Sequence, residues 1–173
     1  MKANYIGILG AVIAFVSLVL PWWSMTLSSS VVGASFSFDA NLYLYQLANS
    51  VADFSLANSW YAWAALALVL IGAILALAGS LMEKGRMLLA GGGVLEIVAM
   101  VIFAVGLMTD LSGIAEFVGI GLFSNISVFG ANVSTYLSYG FWLALVAAIM
   151  MFAASAWRPK ETAPIPAAPV TTS

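Results

Sequence analysis

Four long apolar runs set the pattern of this chain, at residues 5–20, 60–82, 87–108 and 136–157. The last three have room for about 20 residues each, which at ~1.5 Å per residue crosses a hydrocarbon core of roughly 30 Å. Only Glu83-Lys84-Gly85-Arg86 separates the second run from the third, so those two helices are expected to be antiparallel neighbours. Pro21 ends the first run, because proline disfavours helix at its own position and just before it. A signal peptide is the rival for that run, with Lys2 as its basic flank. Pro21-Trp22-Trp23-Ser24-Met25 offers no small-x-small cleavage site, so the run is expected to persist as a helix with the Trp pair as a headgroup-level anchor.

After Pro21 the period changes to two. Trp23, Met25 and Leu27 alternate with Ser24, Thr26 and Ser28; beyond a turn-like Ser28-Ser29-Ser30, Val32, Ala34, Phe36 and Phe38 alternate with Gly33, Ser35, Ser37 and Asp39. This predicts an antiparallel hairpin with one apolar face. Residues 42–45 are expected as a third strand and 125–129 as a fourth, since a lone hairpin is marginal in water. Residues 110–123 place Leu111, Ile114, Phe117 and Val118 among Asp110 and Glu116, a spacing that predicts a short helix lying at the outer interface.

Composition names the solvent. Of 173 residues, 64% are hydrophobic and 7% charged, with mean hydropathy +1.09; soluble domains carry roughly 25% charged residues. The predicted fold class is membrane all-α, a four-transmembrane-helix bundle with a small extracellular antiparallel β-sheet. Residues 1–158 form the membrane domain, with outer loops at about 22–59 and 109–135, and the Pro-containing residues 159–173 form a disordered cytoplasmic tail. Trp60, Tyr61, Trp63, Tyr136, Tyr139, Trp142 and Trp157 gather near predicted helix ends, as an aromatic belt does.

Charge gives sidedness. Lys2, Lys84, Arg86, Arg158 and Lys160 are all the basic residues, and four spans put every one of them on one face. The positive-inside rule makes that face cytoplasmic, with both termini inside. Two N-glycosylation sequons, Asn125-Ile126-Ser127 and Asn132-Val133-Ser134, then fall outside. So do Asp39, Asp53, Asp110 and Glu116, most simply read as solvated surface. An exterior with acids and no base becomes nearly uncharged in an acidic medium, which fits the cytoplasmic membrane of a prokaryote, an archaeon in particular.

The chain has no cysteine and no histidine, which removes disulfides, thiolate zinc sites, iron–sulfur clusters, His-ligated haem and His-dependent catalysis. No metal or cofactor is expected, and no motif sets a nucleophile beside a base, so no enzyme is expected either. Five dispersed basic residues do not suit nucleic acid.

The step Leu20-Pro21-Trp22-Trp23-Ser24-Met25 resembles the Pro-x-Trp exit from the first helix in the claudin-type tetraspan family (claudins, peripheral myelin protein and relatives), with Trp23 in the Trp position. Asn41-Leu42-Tyr43 loosely matches that family's later Gly-Leu-Trp. The resemblance implies four spans, termini inside, and an outer sheet built mostly from the first loop with one strand from the second. The family's paired loop cysteines are absent here.

The candidate functional residues follow. Trp22, Trp23, Phe36, Phe38, Tyr43 and Tyr45 are expected to anchor the outer sheet and supply its contacts, with another copy or with a different membrane or surface protein. Glu96 lies well inside the third run, where a carboxylate costs at least ~2.5 kcal/mol. It is either a proton or cation site or a protonated carboxyl donating to a neighbouring helix. Gly72, Ala76 and Ser80, then Gly92, then Gly140, Ala144 and Ala148 are small residues suited to close helix packing. Gly91-Gly92-Gly93 lacks the strand and the Lys-Ser/Thr of a phosphate loop. The expected role is non-enzymatic, through contacts of the outer sheet. The alternatives are an accessory subunit of a respiratory or transport complex, and a channel or transporter using Glu96.

Overall fold

The structure is a computed structural model that describes residues 3–31, 34–45, 60–118, 121–128 and 130–157. In chain order these form α1 (Tyr5–Val19), β1 (Trp23–Val31), β2 (Ala34–Leu42), α2 (Trp60–Leu81), α3 (Arg86–Val118), β3 (Ser124–Val128), β4 (Ala131–Leu137) and α4 (Tyr139–Ala156). Three of these helices are long and apolar enough to cross a membrane: α2, the first 27 residues of α3, and α4. The apolar helix α1 has 15 residues and reaches about 22 Å.

The helices pack as a ring in which α1 touches α2, α2 touches α3, α3 touches α4 and α4 closes on α1. The turn at 82–85 reverses the chain between α2 and α3. Asn4 ties the start of α1 to the ends of its two neighbours: its backbone N–H donates to the Ser80 carbonyl at 2.9 Å and its Nδ2 to the Ala154 carbonyl at 3.0 Å. Its Oδ1 also accepts the Gly7 N–H at 3.3 Å, capping α1. Helices α2 and α3 approach closely because both carry glycine at the crossing. A β-carbon at Gly72 would lie 3.0 Å from the Gly92 carbonyl oxygen, and one at Gly92 would lie 2.7 Å from the Gly72 carbonyl oxygen.

At the end opposite the 82–85 turn sits one antiparallel sheet of order β2-β1-β4-β3. Trp23 pairs with Leu42 on one side and Leu137 on the other, and Leu27 with Phe38 and Val133. Gly130, at φ +83°, turns β3 into β4. Period two gives the sheet two unlike faces. One carries Trp23, Met25, Leu27, Leu42, Val133, Leu137 and Ile126, and shares an apolar cluster with Phe103, Leu107 and Leu111 of α3. The other carries Ser, Thr and Asn, with Asp39 and Tyr136.

Several expectations are corrected. Residues 42–45 are no third strand: β2 keeps pairing with β1 as far as Leu42, and Leu44 and Tyr45 form a turn that buries Leu44. The further strand is β4, which takes Tyr136 and Leu137 from the start of the fourth apolar run; α4 starts at Tyr139, after Ser138 in extended conformation. No separate interface helix begins at 110, because α3 continues unbroken to Val118. No proline interrupts it, and the buried series Phe103, Leu107, Leu111 carries its packed stripe past the end of the apolar run. The side chains of Ile114, Glu116, Phe117 and Val118, together with Asp53 and the 159–173 tail, lie outside the described residues. Among the belt aromatics Tyr61 is buried, whereas Trp60, Trp63, Tyr136, Tyr139, Trp142 and Trp157 are exposed.

Candidate functional site

The Trp pair does hold the sheet, but to the bundle and not to lipid headgroups. Trp22 is 0% exposed. Its indole meets Phe103 edge-on at 5.2 Å and Phe141 at 5.7 Å, and its Nε1 donates to the Ser17 carbonyl at 2.9 Å. Gly140 leaves room for it: a β-carbon there would lie 2.5 Å from the indole Cδ1. The backbone joins in. Trp22 N–H donates to Leu42, Ser138 N–H to the Trp22 carbonyl and Gly140 N–H to the Pro21 carbonyl, at 2.9, 3.0 and 2.8 Å. Trp23 is buried on the apolar face of the sheet, so neither indole is available for contacts with a partner.

The other four aromatics are placed differently. Phe36 and Phe38, on the apolar face of β2, are 61% and 45% exposed. That face is therefore longer than the bundle surface that covers it. Its Trp23–Leu42 end is buried, while its β2 tip stands clear. Tyr45 is exposed and Tyr43 half-buried, with their rings 5.4 Å apart just beyond β2. Strand β2 is also an outer strand of the sheet, nine residues long, with no strand on its far side among the described residues. Free backbone donors and acceptors along such an edge are a template for another strand.

The two sequons face one another across β3 and β4. Asn125 pairs with Ser134 and Ser127 with Asn132, so each acceptor Asn lies opposite the other's Ser. Both asparagines are exposed on the polar face, and the Ser134 hydroxyl donates to Asn125 Oδ1 at 3.4 Å.

Glu96 lies in the middle of the bundle and is 0% exposed. Neither carboxyl oxygen has a hydrogen-bond partner, so the expected bond to a neighbouring helix is not formed. Its level is the seam between two apolar clusters, one around Phe103 and Ala99 toward the sheet and one around Leu89 and Ala76 at the other end. Small residues allow this packing: a β-carbon at Gly72 would lie 3.7 Å from the Glu96 Cγ. Two cavities both bypass it, one of about 580 Å³ between Asn4, Ser80 and Arg86 and one of about 280 Å³ between Tyr61 and Thr109. No group of three or more metal-ligating residues occurs among the described residues.

Gly72, Ala76, Ser80, Gly92, Gly140, Ala144 and Ala148 are all buried inside this one chain. Their close approaches are spent within the bundle. The Trp22 pocket leaves no mark in the linear pattern, since the residues that create it lie more than 80 positions away, at Phe103, Gly140 and Phe141.

No protein-family model matches this sequence, and no curated protein is similar to it.

Proposed function

We propose that this chain is a four-span protein of the cytoplasmic membrane, with both termini inside and the β2-β1-β4-β3 sheet outside. In this reading it works through protein contacts of that sheet, self-associating as a claudin-like architecture would. The short α1 spans with the others because it is apolar and packs between α2 and α4 in the ring. The basic residues Lys84 and Arg86 lie at the end away from the sheet, which supports the sidedness.

One observation carries the contact role: Phe36 and Phe38 are exposed together, on the uncovered tip of an outer strand. Aromatic side chains in that position bury a large area when a second sheet edge docks. The partner is a second copy, meeting β2 along β2. Tyr43 and Tyr45 extend the same edge.

The test is the size of the protein after gentle solubilisation from native membranes. Wild type is expected as oligomers containing this chain alone, and Phe36→Ser with Phe38→Ser is expected to shift it to monomer. Different membrane proteins at fixed stoichiometry, unaffected by these changes, would show an accessory subunit instead. Proton or ion flux altered by Glu96→Gln would favour the transporter reading.

A further inference from the structure

A cavity lies at the other end of the molecule from the sheet. It holds about 580 Å³ between the start of α1, the turn from α2 to α3, and the end of α4. Its wall is two-sided. Ile6 and Leu89 line an apolar part, while Glu83 and Arg86 bring charge to the mouth, between exposed Tyr5 and Trp157. A mixed lining of this kind, with aromatics at its rim, suits an amphiphile held at the boundary of lipid and water.

Arg86 is held ready for an anion. Its Nη2 donates to the Trp157 carbonyl at 3.1 Å, which spends one of five guanidinium donors and leaves the rest of the fork for a ligand. No carboxylate makes an ion pair with it among the described residues. The first turns of α1 and α3 and the last turns of α2 and α4 all border this space, so their end charges oppose one another and the free donors of Arg86 carry the attraction for an anion. Glu83 lines the same mouth and its negative charge counts against an anionic ligand. A phosphodiester carries one negative charge, whereas free phosphate carries close to two and is repelled more strongly by Glu83.

We infer that this cavity binds the phosphodiester headgroup of a membrane lipid of the inner leaflet, with Arg86 on the phosphate and Ile6 and Leu89 against the glycerol and upper acyl region. The inference rests on the membrane reading above and is independent of what the outer sheet contacts.

The test is lipid retained per chain. The protein is reconstituted in vesicles of phosphatidylcholine with phosphatidylglycerol, re-extracted in mild detergent, and its bound lipid is measured by native mass spectrometry. About one phospholipid should stay with wild type. Arg86→Gln should lower its apparent affinity by about tenfold, as expected for losing a charge-assisted bond, and Arg86→Lys should lower it less. Lys84→Gln, a neighbouring cation that does not line the cavity, should leave retention unchanged. Thermal unfolding of each variant confirms that the bundle is intact. Equal losses for Lys84→Gln and Arg86→Gln would mean diffuse attraction and overturn the site. So would unchanged retention in Arg86→Gln, or displacement of the lipid by millimolar inorganic phosphate. A chain that fails to enter vesicles at all would instead refute the membrane reading.

Discussion

Trp22 is where the two halves of the molecule are joined. It closes the bundle against Phe103 and Phe141, bonds back to Ser17, and has the sheet built directly on its own peptide group. Removing a fully buried aromatic costs about 3–5 kcal/mol. Trp22→Ala should therefore lower the unfolding midpoint in detergent strongly, while Trp60→Ala, at an exposed position, should leave it nearly unchanged. Equal sensitivity of the two would mean that Trp22 does not occupy this pocket. Glu96 has the opposite character, a buried carboxyl whose oxygens lack partners. Such orphaned groups each cost about 1–3 kcal/mol, so Glu96→Leu should raise the midpoint. A fall would reveal a polar partner that Glu96 depends on.

At the scale of elements, α3 sets the height of the sheet above the bundle. Its 33 residues reach about 50 Å, well beyond a hydrocarbon core of roughly 30 Å. Leu107 and Leu111 on the overhang share a cluster with Trp23, Leu42 and Val133. Ser112→Pro should break this overhang at a cost of ~3 kcal/mol or more and loosen the sheet, read as reduced helicity and faster proteolysis of residues 124–137. If a new helix began near 110, proline in its first turn would be tolerated. The apolar runs made the helices legible in the sequence because twenty apolar residues have few other uses. The alternation of 23–28 and 34–39 made β1 and β2 legible for a similar reason: period two leaves one face to bury. Strand β4 was hidden because Tyr136 and Leu137 run directly into the apolar residues of α4. The extent of α3 was hidden because Asp110 and Glu116 resemble the end of a span. A helix, however, ends where its backbone is interrupted and not where lipid ends. The burial of Trp22 was illegible for a third reason, since an indole after a helix suits an interface and a core equally well until Gly140 is seen to make room for it.

For the molecule as a whole, the ring of helices is closed on itself and its small residues are consumed inside, whereas among the described residues the sheet is open along β2 and presents Phe36 and Phe38. Exposed apolar side chains and an edge without a neighbouring strand among the described residues coincide at β2, and a second copy is proposed to pair there. The chain's lack of cysteine permits a direct measurement: single cysteines placed at Ser35, Ser37, Asp39 and Asn41 in turn, oxidised in native membranes, and scored for disulfide-linked dimers. Opposed residues of two antiparallel strands, with α-carbons about 4.5–5.5 Å apart, fall within the range a disulfide spans. Edge-to-edge pairing of β2 predicts cross-linking that peaks at one of these positions and falls away on both sides of it. No dimer at any of the four, with efficient dimers from a cysteine at exposed Val94 or Val101, would place the contact on the helices and rule out pairing along β2.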